Sequence, residues 1–315
     1  MKVSILIFLC FLPFSFGSLS VGFYASTCPL AENVVGDVVQ ARFIEDSSIT
    51  AGLLRMHFHD CFVQGCDASI LIDPVPAKNR TSEKMANPNL TIRGFDIIDD
   101  AKNILETVCP STVSCADIIA LATRDAVALS GGPTYLVPTG RRDGLLSDPS
   151  QVNLPGPNHN VSEALSFFTA VGLTLDDMVT LLGAHTVGFA HCNFFQRRLA
   201  NPDPTLDPTF RTSLAQQCGA LSINKNPTVF LEPNTPDLFD NQYYRQILKS
   251  KGVLNIDQQL ALDPSSKGLV SNYSVDTKGF REKFADAMIK MGNIGVLVGN
   301  DGEIRKNCRA FNIPI

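Results

Sequence analysis

Cysteine constrains this chain more than any other feature. The sequence holds nine, and the first of them falls in a leader. Lys2 is followed by an apolar run from Val3 to about Phe14 and then by the small residues Ser15, Gly17 and Ser18. A positive start, a short apolar middle and a small-residue zone describe a secretory signal peptide, predicted over residues 1–17. The run falls short of the roughly 20 residues a membrane helix needs, and no later stretch is long and uncharged enough, so no membrane partner is expected. Cys10 leaves with the leader. Cys28, Cys61, Cys66, Cys109, Cys115, Cys192, Cys218 and Cys308 remain. An even set in an exported chain reads as four disulfides, with the pairing left open by spacing alone. Zinc is the rival reading, and no paired CxxC…CxxC spacing supports it. The glycosylation sequons at Asn79, Asn89, Asn160 and Asn272 fit an exported surface.

The rest of the chain, 18–315, is long enough to bury a large core in two lobes. A formal charge of −5 argues against nucleic acid, which calls for a basic face. Apolar residues recur at three and four over 31–45, 96–108, 115–130, 162–171, 175–187 and 280–291, the helical period. Ser114 precedes one of these runs and Thr174 another, both as capping residues. Alternating strand patterns are few, so the fold class is all-α. The Pro-, Asn- and Gly-rich segment 148–160 is the natural crossing between lobes, and 224–240, with its three prolines, reads as surface loop.

The most informative segment is GLLRMHFHDCFVQGCDASILID, Gly52–Asp73. If Leu53–Cys61 is helical, Arg55, Phe58 and His59 share a face, whereas His57 points to the opposite side. A cation beside an imidazole suits heterolysis of a polar bond: the imidazole moves a proton and the guanidinium stabilises developing negative charge. Taken alone, an RxHFH reads more readily as a surface ion pair and two core histidines. In LLGAHTVGFAHC, His185 sits in an apolar helical run, a setting for an axial iron ligand, though a lone core histidine gives the same pattern. Such a ligand needs an acceptor on its other nitrogen, and Asp257 is one possibility. Asp60, Asp67 and Ser69, with Gly65 for a tight turn, can surround calcium or form an ordinary turn.

Together these residues make the chain resemble the secreted plant haem peroxidases of class III. The resemblance runs from FYASTCP (Phe23–Pro29) through RMHFHDCFVQGCDASILID, RGFDIID, VSCADIIALATRDAV, GRRDG, LPGP, LLGAHTVG and FDNQYY to Asp257, KMGNIGV and Cys308. It implies a two-lobed helical fold with haem b between the lobes, and the pairs Cys28–Cys109, Cys61–Cys66, Cys115–Cys308 and Cys192–Cys218. The implied activity is reduction of hydrogen peroxide with one-electron oxidation of small phenolic donors. His185 would hold the iron with Asp257 behind it. His59 and Arg55 would cleave the O–O bond, Asn89 would hold His59 as a base with Glu83 supporting Asn89, and Phe58 would keep donors at the edge near Pro155. Two calcium ions are implied: one at Asp60, Val63, Gly65, Asp67 and Ser69, the other at Thr186, Glu232, Thr235, Leu238 and Asp240. A monomer in the extracellular space or cell wall is the family's expectation, and with only seven residues after Cys308 no vacuolar extension is expected.

The chain departs from that pattern in places. Glu232 stands where aspartate is usual, Leu231 where an aromatic often packs, and Asn87 and Asn158 where relatives offer phenyl rings. The chain is one residue shorter between Asn89 and Arg93, and it has no tryptophan. Two other functions compete: a haem-free structural wall protein of the same fold, and a zinc or copper hydrolase using His57, His59 and His191.

Overall fold

The computed structural model describes residues 18–78, 80–201, 203–219 and 225–312. The predicted signal peptide and the Asn79 sequon lie outside them. Twelve α-helices form among the described residues: α1 (Ala31–Glu45), α2 (Ile49–Cys61), α3 (Phe95–Val108), α4 (Cys115–Leu129), α5 (Val161–Ala170), α6 (Leu175–Leu182), α7 (Gln196–Ala200), α8 (Pro208–Cys218), α9 (Gln242–Ile247), α10 (Asn255–Leu262), α11 (Lys267–Val275) and α12 (Thr277–Met291). One small antiparallel ribbon, β1 (Phe189–His191) with β2 (Thr228–Phe230), pairs Ala190 with Val229. The fold is all-α and two-lobed.

Helix starts follow their caps. The Ser114 hydroxyl accepts from Asp117 N at 3.1 Å. Asn160 with Glu163 and Thr174 with Asp177 close reciprocal boxes. Each satisfies N–H groups that the first turn leaves unpaired. The run expected as one helix over 175–187 instead breaks. α6 stops at Leu182, and Gly183–Thr186 tightens into a 3₁₀ turn. A Cβ on Gly183 would lie 2.3 Å from the Tyr244 hydroxyl, so only glycine lets this end seat against α9 and α12. His185 therefore rides a tight turn and not an apolar helix. Within the stretch expected as loop, β2 forms because its partner strand supplies the ladder that a three-residue segment cannot make alone.

Two apolar cores result. One gathers α1, α3 and α4 around Val35, Ile98 and Ile119. The other gathers α5 to α12 around Phe239, Tyr244 and Phe280. Helix α2 belongs to both: Leu53 and Met56 pack into the first, Leu54, Cys61 and Phe62 into the second. It is also bonded to α4, since the Thr123 hydroxyl donates to Leu53 O and the Thr50 hydroxyl to Ala126 O. Of the pairwise cross-links Cys28–Cys109, Cys61–Cys66, Cys115–Cys308 and Cys192–Cys218, Cys115–Cys308 spans 193 residues and Cys61–Cys66 only 5. Loop entropy then assigns about 5 kcal/mol to the first and about 2 to the second, so Cys61–Cys66 serves chiefly to shape its turn.

A buried ion pair ties the lobes. Arg141, 2% exposed, donates from Nη1 to Asp117 Oδ1 at 2.7 Å and from Nε to Gly292 O at the end of α12 at 2.9 Å. Asp117 Oδ2 accepts further from Tyr24 Oη and Gly140 N, both at 2.7 Å. Removing one member of such a pair strands the other charge, at about 3–5 kcal/mol. Asp117→Ala should lower unfolding free energy by that amount in urea titration, and a loss below about 1 kcal/mol would mean the pair is not the tie described.

Candidate active site

Arg55 and His59 stand one turn apart on α2, as helical spacing requires. Asn89, from the 3₁₀ turn Asn87–Asn89, approaches His59 from outside the helix. Its Nδ2 donates to Glu83 O at 2.8 Å. A carbonyl only accepts, so the amide orientation is fixed and Oδ1 faces His59 Nδ1 at 2.7 Å. His59 must then carry its proton on Nδ1, which leaves the Nε2 lone pair to accept. Arg55 Nε donates to that nitrogen at 3.2 Å. Burial, with Arg55 adding to it, pushes the His59 imidazolium down to about 3, so His59 is a neutral acceptor at ordinary pH. Burial also brings Arg55 down to about 10, which leaves it charged. Phe58 stacks edge-on to His59 and rests on Phe62, centroids 4.4 Å apart, making a fixed wall.

Opposite lies His185, whose Nδ1 is 2.8 Å from Asp257 Oδ1. Asp257 is 1% exposed. The carboxylate accepts a hydrogen bond from Nδ1–H, so Nε2 on the far side of the ring offers its lone pair to the space between the lobes. That space is a cavity of about 450 Å³, walled by Leu54, Leu182, Phe284 and Met288, with His59, Arg55 and His185 on its surface and Pro155 at its rim. An apolar slot with one basic imidazole nitrogen aimed into it fits a flat apolar macrocycle carrying an iron.

Glu83 supports Asn89 through its main-chain oxygen. Its carboxyl turns away and lies with Asp60, Asp67 and Ser69. Asp60 Oδ1, Ser69 Oγ and Glu83 Oε2 are buried without hydrogen-bond partners. Asp60 is pushed well above the usual carboxylate range, by burial first and then by Asp67, and burial lifts Glu83 to about 8. Buried acids with unused oxygens are what a hard divalent cation relieves. Val63 and Gly65 belong to the adjoining turn, where Gly65 has φ of 110° and a Cβ would lie 2.4 Å from Gly295 O. The second expected set also converges. The Thr186 and Thr235 hydroxyls both donate to Asp240, at 3.0 and 2.9 Å. Glu232 is different: its longer side chain folds back to accept from Asn234 N and Thr235 N at 2.8 and 2.7 Å. Leu238 sits beside it, its N–H on Thr235 O and its side chain exposed.

His57 is buried on the other side of α2, with both ring nitrogens unpaired. It lies close to Cys61 and Cys66, but those sulfurs are joined to each other. His191 sits at the cavity rim with Nδ1 3.0 Å from Asn226 O. The three histidines that a zinc or copper hydrolase would need are therefore not assembled. Two contacts went unread in the sequence. Arg55 is held by Pro88 O and the Thr91 hydroxyl, both at 2.8 Å. Tyr243 donates to Asp257 Oδ1 at 3.0 Å. A tyrosine three residues after an aspartate is visible, but no local pattern aims it at one fourteen residues on.

A peroxidase family model matches residues 35–276. Peroxidase 44 of Arabidopsis thaliana is 53% identical over 314 residues, spanning 99% of each chain. Peroxidase 57 of the same plant is 50% identical, over 98% of this chain and 97% of its own. Peroxidase 5 of Vitis vinifera is 46% identical, over 98% and 96%.

Asn89 is 3% exposed and spends its Nδ2, the atom a glycan would modify, on Glu83 O. Intact-glycopeptide mapping of the plant-expressed protein should find Asn89 bare, with sugar confined to exposed sequons such as Asn160 and Asn272. Sugar at Asn89 in folded protein would refute this placement.

Proposed function

This chain belongs to the plant peroxidases of class III, haem enzymes that reduce hydrogen peroxide while oxidising phenolic donors, and we propose that Arg55, His59, Asn89, His185 and Asp257 carry that reaction here. Haem b, when bound, supplies the redox chemistry. His185 Nε2 would hold its iron, and Asp257, by accepting the hydrogen bond of Nδ1–H, would give the imidazole anionic character.

On the opposite face, His59 Nε2 takes a proton from one peroxide oxygen and returns it to the other as that oxygen departs. Arg55 stabilises the negative charge that builds on the departing oxygen. Asn89 holds the tautomer that makes this possible, and Glu83 holds Asn89 through its main chain. Phe58 closes the distal space, so phenols give up electrons one at a time at the rim near Pro155. The observation that supports this most is the fixed Asn89 amide, because it alone makes His59 Nε2 a base facing the cavity.

The same reading includes two calcium ions. Asp60, Asp67 and Ser69 hold the first by side chains, with Val63 and Gly65 giving carbonyls. Thr186, Glu232, Thr235, Leu238 and Asp240 hold the second, Glu232 more loosely since its oxygens already serve its own loop. Four disulfides, the leader of residues 1–17 and the exposed sequons fit a monomeric protein of the extracellular space or wall. Its partners are peroxide and small phenols, without nucleic acid or membrane.

Mixing purified protein with one equivalent of peroxide should shift the Soret band, and a phenol should restore it. In His59→Ala the shift should slow by about 10²–10⁴-fold, the usual worth of positioned proton transfer. A variant as fast as the parent would end the assignment. Chelation tests the calcium reading. A site saturated a hundredfold above Kd adds about 2.7 kcal/mol, so EDTA should lower Tm and added calcium restore it. An unchanged Tm would remove both ions from the account.

A further inference from the structure

Three of the five tyrosines form a continuous run from the proximal histidine outward. The rings of His185 and Tyr243 stand edge-on with centroids 6.0 Å apart. Tyr243 and Tyr244 follow at 5.1 Å, and Tyr244 and Tyr273 at 5.2 Å. The run crosses the second core, where Tyr243 and Tyr244 are 1% and 0% exposed. It ends at the edge of that core with Tyr273, 7% exposed, whose hydroxyl donates to Asp176 Oδ1 at 2.8 Å with the Thr180 hydroxyl beside it at 2.9 Å. Asp176, in the first turn of α6, is partly exposed to solvent.

Electron transfer through protein falls steeply with distance, so oxidisable rings in near contact replace one long transfer by several short ones. A phenol loses an electron readily only if its proton has somewhere to go. Tyr244 donates to Val179 O at 3.0 Å, and a peptide carbonyl does not take up a proton. Tyr243 donates to the same Asp257 oxygen that already serves His185. Tyr273 alone of the three faces a carboxylate that solvent reaches. Of the three, Tyr273 is therefore where a radical would come to rest. With no tryptophan in the chain, no more readily oxidised indole competes.

We propose that Tyr273 is a second oxidation site, fed through Tyr244 and Tyr243 from the His185 side, and that it serves electron donors too large for the opening near Pro155. This rests on His185 as the iron's ligand. In each one-electron step Tyr273 passes an electron inward and its phenolic proton to Asp176. An outside donor then replaces the electron, and Asp176 returns the proton. Two such steps supply the two electrons that turn one hydrogen peroxide into two waters, and solvent supplies the two protons that the waters take up. On the Asp176 side, the carboxylates of Asp176, Asp177 and Asp286 outnumber Lys290, while Arg245 lies on the other side, donating to Ser274 O. Large donors of basic or neutral character suit the Asp176 side, and polyanions do not.

The test uses the haem-loaded, full-length secreted protein and two donors: guaiacol, small enough for the rim, and ferrocytochrome c, a basic protein that cannot enter. One equivalent of peroxide without donor should give a tyrosyl radical by freeze-quench electron paramagnetic resonance. A nitroso spin trap should then mark the peptide bearing Tyr273. In Tyr273→Phe that adduct should vanish and ferrocytochrome c oxidation fall at least tenfold, while guaiacol turnover stays within twofold. Asp176→Asn keeps the ring but removes the proton acceptor, and should cut adduct yield at Tyr273 in the same direction. Adduct confined to Tyr24, Tyr135, Tyr243 or Tyr244, or ferrocytochrome c oxidation unchanged in Tyr273→Phe, would overturn the proposal with the peroxidase reading intact. Loss of the peroxide-induced Soret shift in the unmutated protein would instead overturn the reading beneath it, and this site with it.

Discussion

A buried guanidinium holds this molecule in one piece. Arg141 reaches Asp117 in α4 and, through Gly292 O, the end of α12, so its charge is shared between the two lobes. Asp117 in turn gathers Tyr24 and the backbone of Gly140 and Arg141. Arg305 plays a similar part nearby, donating to Ala68 O and Gly144 O, which pins the turn carrying Asp67 and Ser69. Such charges are costly to bury and are held only when every partner is present. They therefore favour one relative placement of the lobes over others that apolar packing alone would tolerate.

That placement is what makes the site. His59 and Arg55 come from a helix shared by both cores, Asn89 from a short turn, and His185 with Asp257 from the second lobe. No two of these groups owe their distance to sequence proximity except Arg55 and His59. The polar atoms are organised in two lines that end on opposite walls of the cavity: Glu83 O to Asn89 to His59, and Asp257 to His185. Each line fixes which imidazole nitrogen bears the proton, and each leaves a lone pair directed inward. The proton transfer proposed for one wall and the ligation proposed for the other rest on the same device.

Much of this was legible in the residues. Helical period and capping located α1, α4, α5, α12 and the start of α6 within a few positions, because Ser114 and Thr174 act locally. The break after Leu182 was not legible, since Gly183 is required by Tyr244 and Phe280, which arrive from distant sequence. The short helices α9 to α11 lie in segments too brief to show a period. Glu83 was read as the support of Asn89 with no atom specified; the contact runs through its main-chain oxygen, and a main-chain carbonyl leaves no mark on residue identity. Glu232 could be seen to be longer than usual, but its turn back to the N–H groups of Asn234 and Thr235 depends on loop geometry. Tyr243 escaped notice for the same reason as Asp257 was uncertain: both meet His185 only through tertiary packing.

Helix α2, with one face in each core, has a consequence for how such a molecule wears out. A side chain anchored in a single lobe keeps its surroundings while the other lobe loosens. Arg55 and His59 have no such refuge, because their helix loses half its packing whichever lobe opens first. The site's lifetime is therefore set by the weaker half of the molecule, and strengthening the stronger half alone adds nothing to it.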